Sequence, residues 1–145
     1  MVFAYYKKLV QEYEKMRNPT GERDAPAKTC RDLAIAHPEL PHGMYWIDPN
    51  EGDPKDAVEV YCDMSNKATC INPSPNKVPG KAHYVGRGKH TWFSEMNGGF
   101  QFTYKIDRVQ LSMLQMLSTE AIQNITYLCR NSVAFFDATK NIHRR

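Results

Sequence analysis

The sequence predicts an α+β fold, in which an N-terminal helix precedes a β domain made of short strands. Apolar residues at the start of the chain recur at alternating spacings of four and three, the pattern of a helix with a heptad-like seam: Val2, Tyr6, Leu9, Tyr13 and Met16. Two strand-like runs, Met44 to Ile47 and Val58 to Cys62, then flank an acidic turn. The 145 residues correspond to about one domain, so a single core is expected.

The N-terminal helix is expected to end at Asn18-Pro19-Thr20-Gly21, because proline disfavours a helical residue before it and glycine favours a turn. From its pattern alone, the apolar stripe is either one face of a helix packed on its own domain or part of a coiled coil. Coiled coils usually need three or four heptads. A polar linker, Glu22 to Lys28, leads into the rest of the chain.

The second half of the chain contains a long loop and several short elements. Residues 72–90 are rich in Pro, Gly and Lys and are predicted to be mostly loop. Thr91 to Phe93 and Gly99 to Tyr104 are predicted as short strands. The apolar stretch 109–117 is interpreted as a buried strand leading into a short helix over 118–123, although a helix over the whole stretch fits nearly as well.

Composition and charge narrow the class of protein. The chain is 41% hydrophobic and 24% charged, which is typical of a globular domain. Its 19 basic and 16 acidic residues are spread along the sequence, so neither their balance nor their placement indicates a nucleic-acid partner. No apolar run approaches the roughly 20 residues that cross a bilayer. Met1 to Lys8 lacks the apolar stretch of a secretion signal, so if the protein is secreted, its signal is expected to lie outside this chain.

The four cysteines are Cys30, Cys62, Cys70 and Cys129. None belongs to a CxxC motif, which argues against the usual zinc and redox sites. Taken alone, they are either four buried thiols or disulfide-forming residues of a secreted protein. The compartment decides between these two interpretations.

The acidic turn is the strongest candidate binding site. It places five oxygen-bearing residues within nine positions: Asp48, Asn50, Glu51, Asp53 and Asp56. Calcium takes six to eight oxygens at about 2.3 to 2.6 Å, and a tight turn supplies both carboxylates and backbone carbonyls. The spacing does not match an EF-hand, whose distal Glu is missing. From the residues alone, a calcium site and a solvated hairpin turn both remain open.

Other motifs are weaker. Asn124-Ile125-Thr126 is an N-glycosylation sequon, which has meaning only in a secreted protein. The basic residues between Lys77 and His90 are typical of a solvated loop, with sulfated-polysaccharide binding as the alternative. No nucleophile beside a base, glycine-rich phosphate loop or set of histidines at metal-ligand spacing is visible, so no enzymatic activity is predicted.

Several segments together resemble the C-terminal propeptide of fibrillar procollagens. They occur in the order of that family: Pro26-Ala27-Lys28-Thr29-Cys30-Arg31-Asp32-Leu33, Tyr45-Trp46-Ile47-Asp48-Pro49-Asn50, Val60-Tyr61-Cys62-Asp63-Met64, Thr91-Trp92-Phe93, Gly98-Gly99-Phe100-Gln101-Phe102 and Gln123-Asn124-Ile125-Thr126-Tyr127. The resemblance covers nearly all of residues 19–139. It implies a coiled-coil stalk helix over 1–18, a linker over 19–29 and the N-terminal part of the propeptide domain over 30–145. That domain is expected to be mixed, mainly antiparallel, fibrinogen-like and disulfide-stabilised.

The resemblance also implies roles for individual residues. Asp48, Asn50 and Asp56 would bind calcium through their side chains, and Glu51 and Asp53 through their backbone carbonyls. Three further implied features are a Cys30–Cys62 disulfide, glycosylation of Asn124 and a trimerising stalk with its seam at Val2, Tyr6, Leu9, Tyr13 and Met16. A chain of this family is assembled in the endoplasmic reticulum and secreted into the extracellular matrix.

The departures from the family pattern predict how chains would associate. Ala36 and Asp53 stand where the family usually has cysteines that link neighbouring chains, so those interchain disulfides are not expected. The segment between Phe102 and Val109 is short where vertebrate members carry a chain-recognition stretch, which favours a homotrimer. The chain stops at Arg145, where the family continues and supplies partners for the two remaining cysteines.

The leading functional hypothesis is a calcium-binding trimerisation domain of a fibrillar procollagen, which aligns three chains so that the triple helix can nucleate. The alternative is a fibrinogen-like domain that recognises a ligand, because Val60-Tyr61-Cys62-Asp63-Met64 resembles that family too. A non-functional remnant is the third hypothesis. The partners expected are other procollagen chains, with no nucleic acid and no membrane.

Overall fold

A computed structural model of the chain describes residues 2–78, 92–127, 135–137, 139–140 and 142–144. Its three helices are α1 (Val2–Arg17), α2 (Cys30–Ala36) and α3 (Arg108–Leu117). Its strands are β1 (Gly43–Ile47), β2 (Val58–Asp63), β3 (Ala68–Cys70), β4 (Pro73–Ser74), β5 (Thr103–Tyr104), β6 (Phe135–Asp137) and β7 (Ile142–Arg144). Every strand pair is antiparallel, and the mixture of helices and sheets confirms the predicted α+β class. The fibrinogen-like relationship stays a prediction.

The predicted N-terminal helix is present as α1. It continues to Arg17, and the amide of Asn18 donates to the carbonyl of Glu14, so the helix ends just before Pro19 as expected. Lys15 and Arg17 lie in the last turn, where positive charge offsets the negative end of the helix dipole. No apolar side chain of α1 that the structure describes is buried. None of the described helices combines the length and apolar character needed to span a membrane.

The central sheet has the order β1–β2–β3. The two predicted strands pair with each other from Ile47 opposite Val58 to Gly43 opposite Cys62, which closes a hairpin around the acidic turn. In β2, Val60 and Cys62 are buried while Glu59 and Tyr61 are exposed, the alternation expected of a strand with one face on a core. Strand β3 was not predicted from the sequence.

A short helix packs against this sheet. The hydroxyl of Thr29 caps α2 by accepting from the amide of Asp32 at 3.2 Å, and the helix buries Cys30, Leu33 and Ala34. Cys30 and Cys62 form a disulfide with their Cα atoms 5.4 Å apart, as the resemblance implies. Helix α2 was not predicted from the sequence, although Thr29 followed three residues later by Asp32 is a helix-start signal.

Helix α3 completes the core. Leu114 packs with Cys30, Ile47, Val60 and Cys62, which are all nearly inaccessible to solvent. The preferred interpretation of this stretch as a strand followed by a helix over 118–123 was wrong. The alternative helical interpretation is correct for residues 108–117, because packing selects a period that places Gln110 and Leu114 on one buried face. Asp107 caps the start of the helix, because its carboxylate accepts from the amide of Val109 at 2.8 Å.

The predicted strands around the glycine turn are only partly present. Residues 93–95 form a 3-10 turn rather than a strand, and Thr91 lies outside the described residues. Within Gly99 to Tyr104, only β5 is a strand, and it pairs with β4. Three phenylalanine rings, Phe93, Phe100 and Phe102, lie with centroids 5.1 to 5.9 Å apart and hold this segment together. The predicted loop over 72–90 contains β4, and its residues 79–90 lie outside the described part.

Candidate calcium site

The acidic turn is held at both ends by the β1–β2 hairpin. Asp48 directly follows β1 and is 4% exposed, and its amide donates to the carbonyl of Ala27 at 2.7 Å. A 3-10 turn, Pro54–Asp56, closes the other end just before β2. The loop over residues 48–56 is therefore fixed to the sheet at both ends, and through β2 to the Cys30–Cys62 disulfide. We refer to it as the cation loop.

The three side chains predicted as calcium ligands are brought together. Gln110 of α3 places its Nε2 3.0 Å from Oδ1 of Asp48, 3.0 Å from Oδ1 of Asn50 and 3.2 Å from the carbonyl oxygen of Asp56. In addition, Nδ2 of Asn50 donates to Oδ2 of Asp56 at 3.0 Å. Oxygens from three loop residues therefore converge on one point beside a buried side chain.

The electrostatics of this cluster favour a cation. Burial raises the pKa of the Asp48 carboxyl, and the nearby carboxylate of Asp56 raises it further, while the hydrogen bond from Gln110 acts in the opposite direction. Burial and a like-charged neighbour both disfavour the ionised form of Asp48. A divalent cation between the two carboxylates would remove this repulsion.

The carboxylates of Glu51 and Asp53 take no part in the convergence. That of Glu51 accepts from Nζ of Lys28 at 2.8 Å, and that of Asp53 accepts from Nζ of Lys55 at 2.8 Å. The hydrogen bond from Lys55 lowers the pKa of Asp53. Glu51 also adopts a positive φ of 52°, which turns the backbone sharply at the tip of the loop. This arrangement is compatible with the expectation that these two residues contribute through their backbone carbonyls.

The donor set fits calcium better than a softer metal. Within the described part of the chain, no three His, Cys, Asp or Glu side chains gather into a group that could hold a metal ion. A cation at the loop would therefore depend on two carboxylates, one amide and backbone oxygens. Calcium accepts such an all-oxygen mixture, whereas structural zinc sites need Cys or His.

Gln110 was not predicted as a site residue, yet it is fully buried and contacts three of the five predicted loop residues. It lies 62 positions from Asp48 in the sequence, so no local spacing rule connects the two. The sequence does contain one indication of this role: Gln110 is a polar residue within an apolar stretch that was predicted to be buried. Buried polar side chains are almost always hydrogen-bonded, so such a residue needs a polar partner.

The other predicted residues lie apart from the loop. The described seam residues of α1 are exposed: Val2, Tyr6, Leu9 and Tyr13. Helix α1 includes Met16, whose side chain lies outside the description. Asn124 is exposed in an irregular segment. Cys70 is a free, exposed thiol whose pKa is raised by partial burial, and Cys129 lies outside the described residues.

Comparison with known proteins assigns the family. The sequence model described as "Fibrillar collagen C-terminal domain" matches residues 1–145. The chain is 47% identical over 147 aligned residues to the collagen alpha-1(II) chain of Xenopus tropicalis, covering 94% of this chain and 10% of the relative. It is 42% identical to the collagen alpha-1(II) chain of Gallus gallus, covering 94% of this chain and 17% of the relative. The chain thus spans less than a fifth of the length of these relatives.

The chain belongs to the fibrillar collagen C-terminal domain family. This confirms the resemblance inferred from the ordered segments. It places the chain in a family of structural extracellular-matrix proteins rather than enzymes.

Proposed function

We propose that this chain is the calcium-binding trimerisation domain of a fibrillar procollagen. Three copies associate in the endoplasmic reticulum and align the chain ends, so that the collagen triple helix can nucleate before secretion into the matrix. The single observation that carries the proposal is the clustering of three residues in a loop fixed at both ends. Oδ1 of Asp48, Oδ1 of Asn50 and the carbonyl oxygen of Asp56 face one point, and the Asp56 carboxylate is hydrogen-bonded to Asn50. Membership of the family supports the association with other procollagen chains.

Calcium would act by ordering the loop before association. When bound, it supplies positive charge between the two repelling carboxylates. Asp48 is held by its buried position beside the sheet, and Asp56 by the 3-10 turn that leads into β2. A loop ordered in advance loses less conformational entropy when a second copy docks against it, so association is stronger.

The stalk provides the second element of the proposal. Val2, Tyr6, Leu9 and Tyr13 are between 56% and 82% exposed in the single chain, so α1 carries an apolar seam without cover from its own described domain. Packing three such seams together would bury them. Ala36 and Asp53 replace the usual linking cysteines, so the trimer depends on these non-covalent contacts and on calcium. We propose a homotrimer with a fibrinogen-like outer β region and a glycan on Asn124.

Isothermal titration of the chain with calcium tests the metal site. We expect the wild-type protein to bind calcium. The Asp48→Asn variant keeps the shape of the side chain but removes its charge, and it should bind calcium at least about tenfold more weakly. Glu59→Gln is the matched control, because it removes the same charge from an exposed position of the same hairpin. Equal calcium affinity in all three proteins would reject the site.

A further inference from the structure

Helix α3 reaches the cation loop through one fully buried amide. Gln110 has no exposed surface, and Leu114, one turn further along, is 6% exposed and belongs to the hydrophobic core. The same face of α3 therefore contacts both the core and the loop. Among the described residues of α3, Gln110 is the one whose side chain is hydrogen-bonded to residues 48–56.

The hydrogen-bond pattern fixes the orientation of this amide. Nε2 of Gln110 faces three acceptor oxygens, while its Oε1 accepts from the backbone amide of Asn50 at 3.4 Å. The reverse orientation would place an oxygen against three oxygens and an NH₂ group against an N–H, so it is excluded by the partners themselves. Two N–H hydrogens are shared among three oxygens, which draws Asp48, Asn50 and Asp56 toward one point.

We propose that Gln110 is the positioning residue of the cation loop: it gathers the side-chain oxygens of Asp48 and Asn50 beside the backbone carbonyl of Asp56, and it couples cation binding to the docking of α3 on the core. This inference rests on the proposed calcium site and names a residue outside the acidic turn. Coupling of this kind is reciprocal. If docked α3 improves calcium affinity, bound calcium stabilises docked α3 to the same extent.

Gln110→Met tests the positioning role, since methionine has similar length and no hydrogen-bond donor. Outer-shell partners of metal ligands typically contribute 10- to 100-fold to affinity, and we expect Gln110→Met to weaken calcium binding by about that factor in a calorimetric titration. Gln115→Met is the matched control, because it changes an exposed glutamine of the same helix. Its affinity should equal that of the wild type.

A second control separates positioning from general destabilisation. Leu114→Ala removes core volume from the same face of α3 without touching the loop, so it should lower the melting temperature while leaving the calcium dissociation constant within about twofold.

Gln110→Glu adds a third carboxylate to the oxygen cluster. We expect it to melt well below Gln110→Met in calcium-free buffer and to recover most of that difference at saturating calcium. If the melting temperature of Gln110→Glu lies below that of Gln110→Met by the same amount with and without calcium, Gln110 acts only as a core residue and the inference is overturned.

Hydrogen exchange keeps the test independent of the calcium proposal. In calcium-free protein, Gln110→Met should speed exchange at the amides of Asn50 and Gly52, whereas Gln115→Met should not. If the wild type binds no calcium while this difference is seen, the proposed function fails and the positioning role stands. If the exchange rates are equal in both variants, the positioning role fails, whatever the wild type binds.

Discussion

Helix α1 and the rest of the described N-terminal half differ in how their apolar residues are covered. The core residues Cys30, Ile47, Val60 and Cys62 belong to residues 19–71, and Leu114 of α3 joins them. We call this assembly of residues 19–71 and α3 the base. In α1, by contrast, even the central seam residue Leu9 is 66% exposed.

This difference indicates which part of the molecule needs a partner. The base has its own core, a disulfide and a capped helix, so its apolar residues are covered within a single chain. A 16-residue helix is marginal in water when nothing packs against it, because the cost of starting the helix is high. The stability of α1 is therefore expected to depend on other copies. The following changes test this contrast: those in the base come first, from the larger expected effect to the smaller, followed by the seam of α1 and then by the ion pair between the two regions, whose effect is the smallest.

Removing the disulfide should be the most damaging change to the base. Cys30 and Cys62 are separated by 32 positions, and on the chain-entropy model closing such a loop stabilises by roughly 3 to 4 kcal/mol. We expect Cys30→Ala/Cys62→Ala to lower the free energy of unfolding by about that amount in a denaturant titration. Cys70→Ser, which alters an exposed thiol, is the control, and a comparable loss in that variant would contradict this assignment.

Gly21 lies at the start of the base, shortly after α1, and its substitution tests how tightly this part of the base is packed. It adopts a φ of +75°, and an added Cβ would lie 2.8 Å from Leu33 and 2.9 Å from Tyr45. Gly21→Ala therefore combines backbone strain with overpacking and should cost about 2 kcal/mol.

Thermal melting followed by near-ultraviolet circular dichroism would measure this loss. Gly43→Ala is the control, because its new Cβ would meet Tyr45 at an ordinary 3.5 Å. If Gly21→Ala and Gly43→Ala have the same melting temperature, the turn at Gly21 tolerates a side chain and the prediction is wrong.

A charge in the seam should affect association and leave the base intact. Burying a leucine contributes about 1.5 to 3 kcal/mol, so Leu9→Asp should weaken self-association by at least that amount for each chain. Gln11→Asp adds the same charge to the same helix outside the seam. Analytical ultracentrifugation should show dissociation for Leu9→Asp alone, and equal dissociation of both variants would mean that the seam is not the contact.

The ion pair between the two regions should contribute least. Nζ of Lys15 lies 2.6 Å from Oδ2 of Asp24, and this hydrogen bond and charge hold the pKa of Asp24 below its ordinary value of 3.8. Since the folded pKa is the lower one, the contribution is present above pH 3.8 and lost as the pH falls. Both side chains are largely exposed, so solvent and salt screen the pair.

We therefore expect Asp24→Asn to melt almost as the wild type does at neutral pH. The remaining difference should vanish in about 1 M salt, where screening acts over roughly 3 Å. A large, salt-insensitive loss would instead mean that Asp24 has a structural role in the turn after α1.

The sequence predicted those features whose signals are local. The heptad-like spacing located α1, and the strand-like run Val58 to Cys62 located β2. The ordered family segments identified the disulfide pairing, which the spacing of four cysteines alone left open. The loop residues were predicted as a group because their oxygens lie within nine positions.

What could not be predicted depends on contacts between distant parts of the chain. Residues 109–117 fit a strand or a helix locally, and packing of Leu114 on the disulfide region decides for the helix. The contact of Gln110 with Asp48 spans 62 positions, so it exists only once α3 has docked. The pairing of charges around the loop could not be predicted either, because the ion pair between Lys28 and Glu51 spans 23 positions.

Sedimentation velocity of the chain in calcium, and again after chelation, tests the central claim that a cation-ordered base and an uncovered stalk together make a trimer. The account predicts a trimer in calcium that shifts toward monomer when calcium is removed. A single monomeric species in both conditions would contradict it.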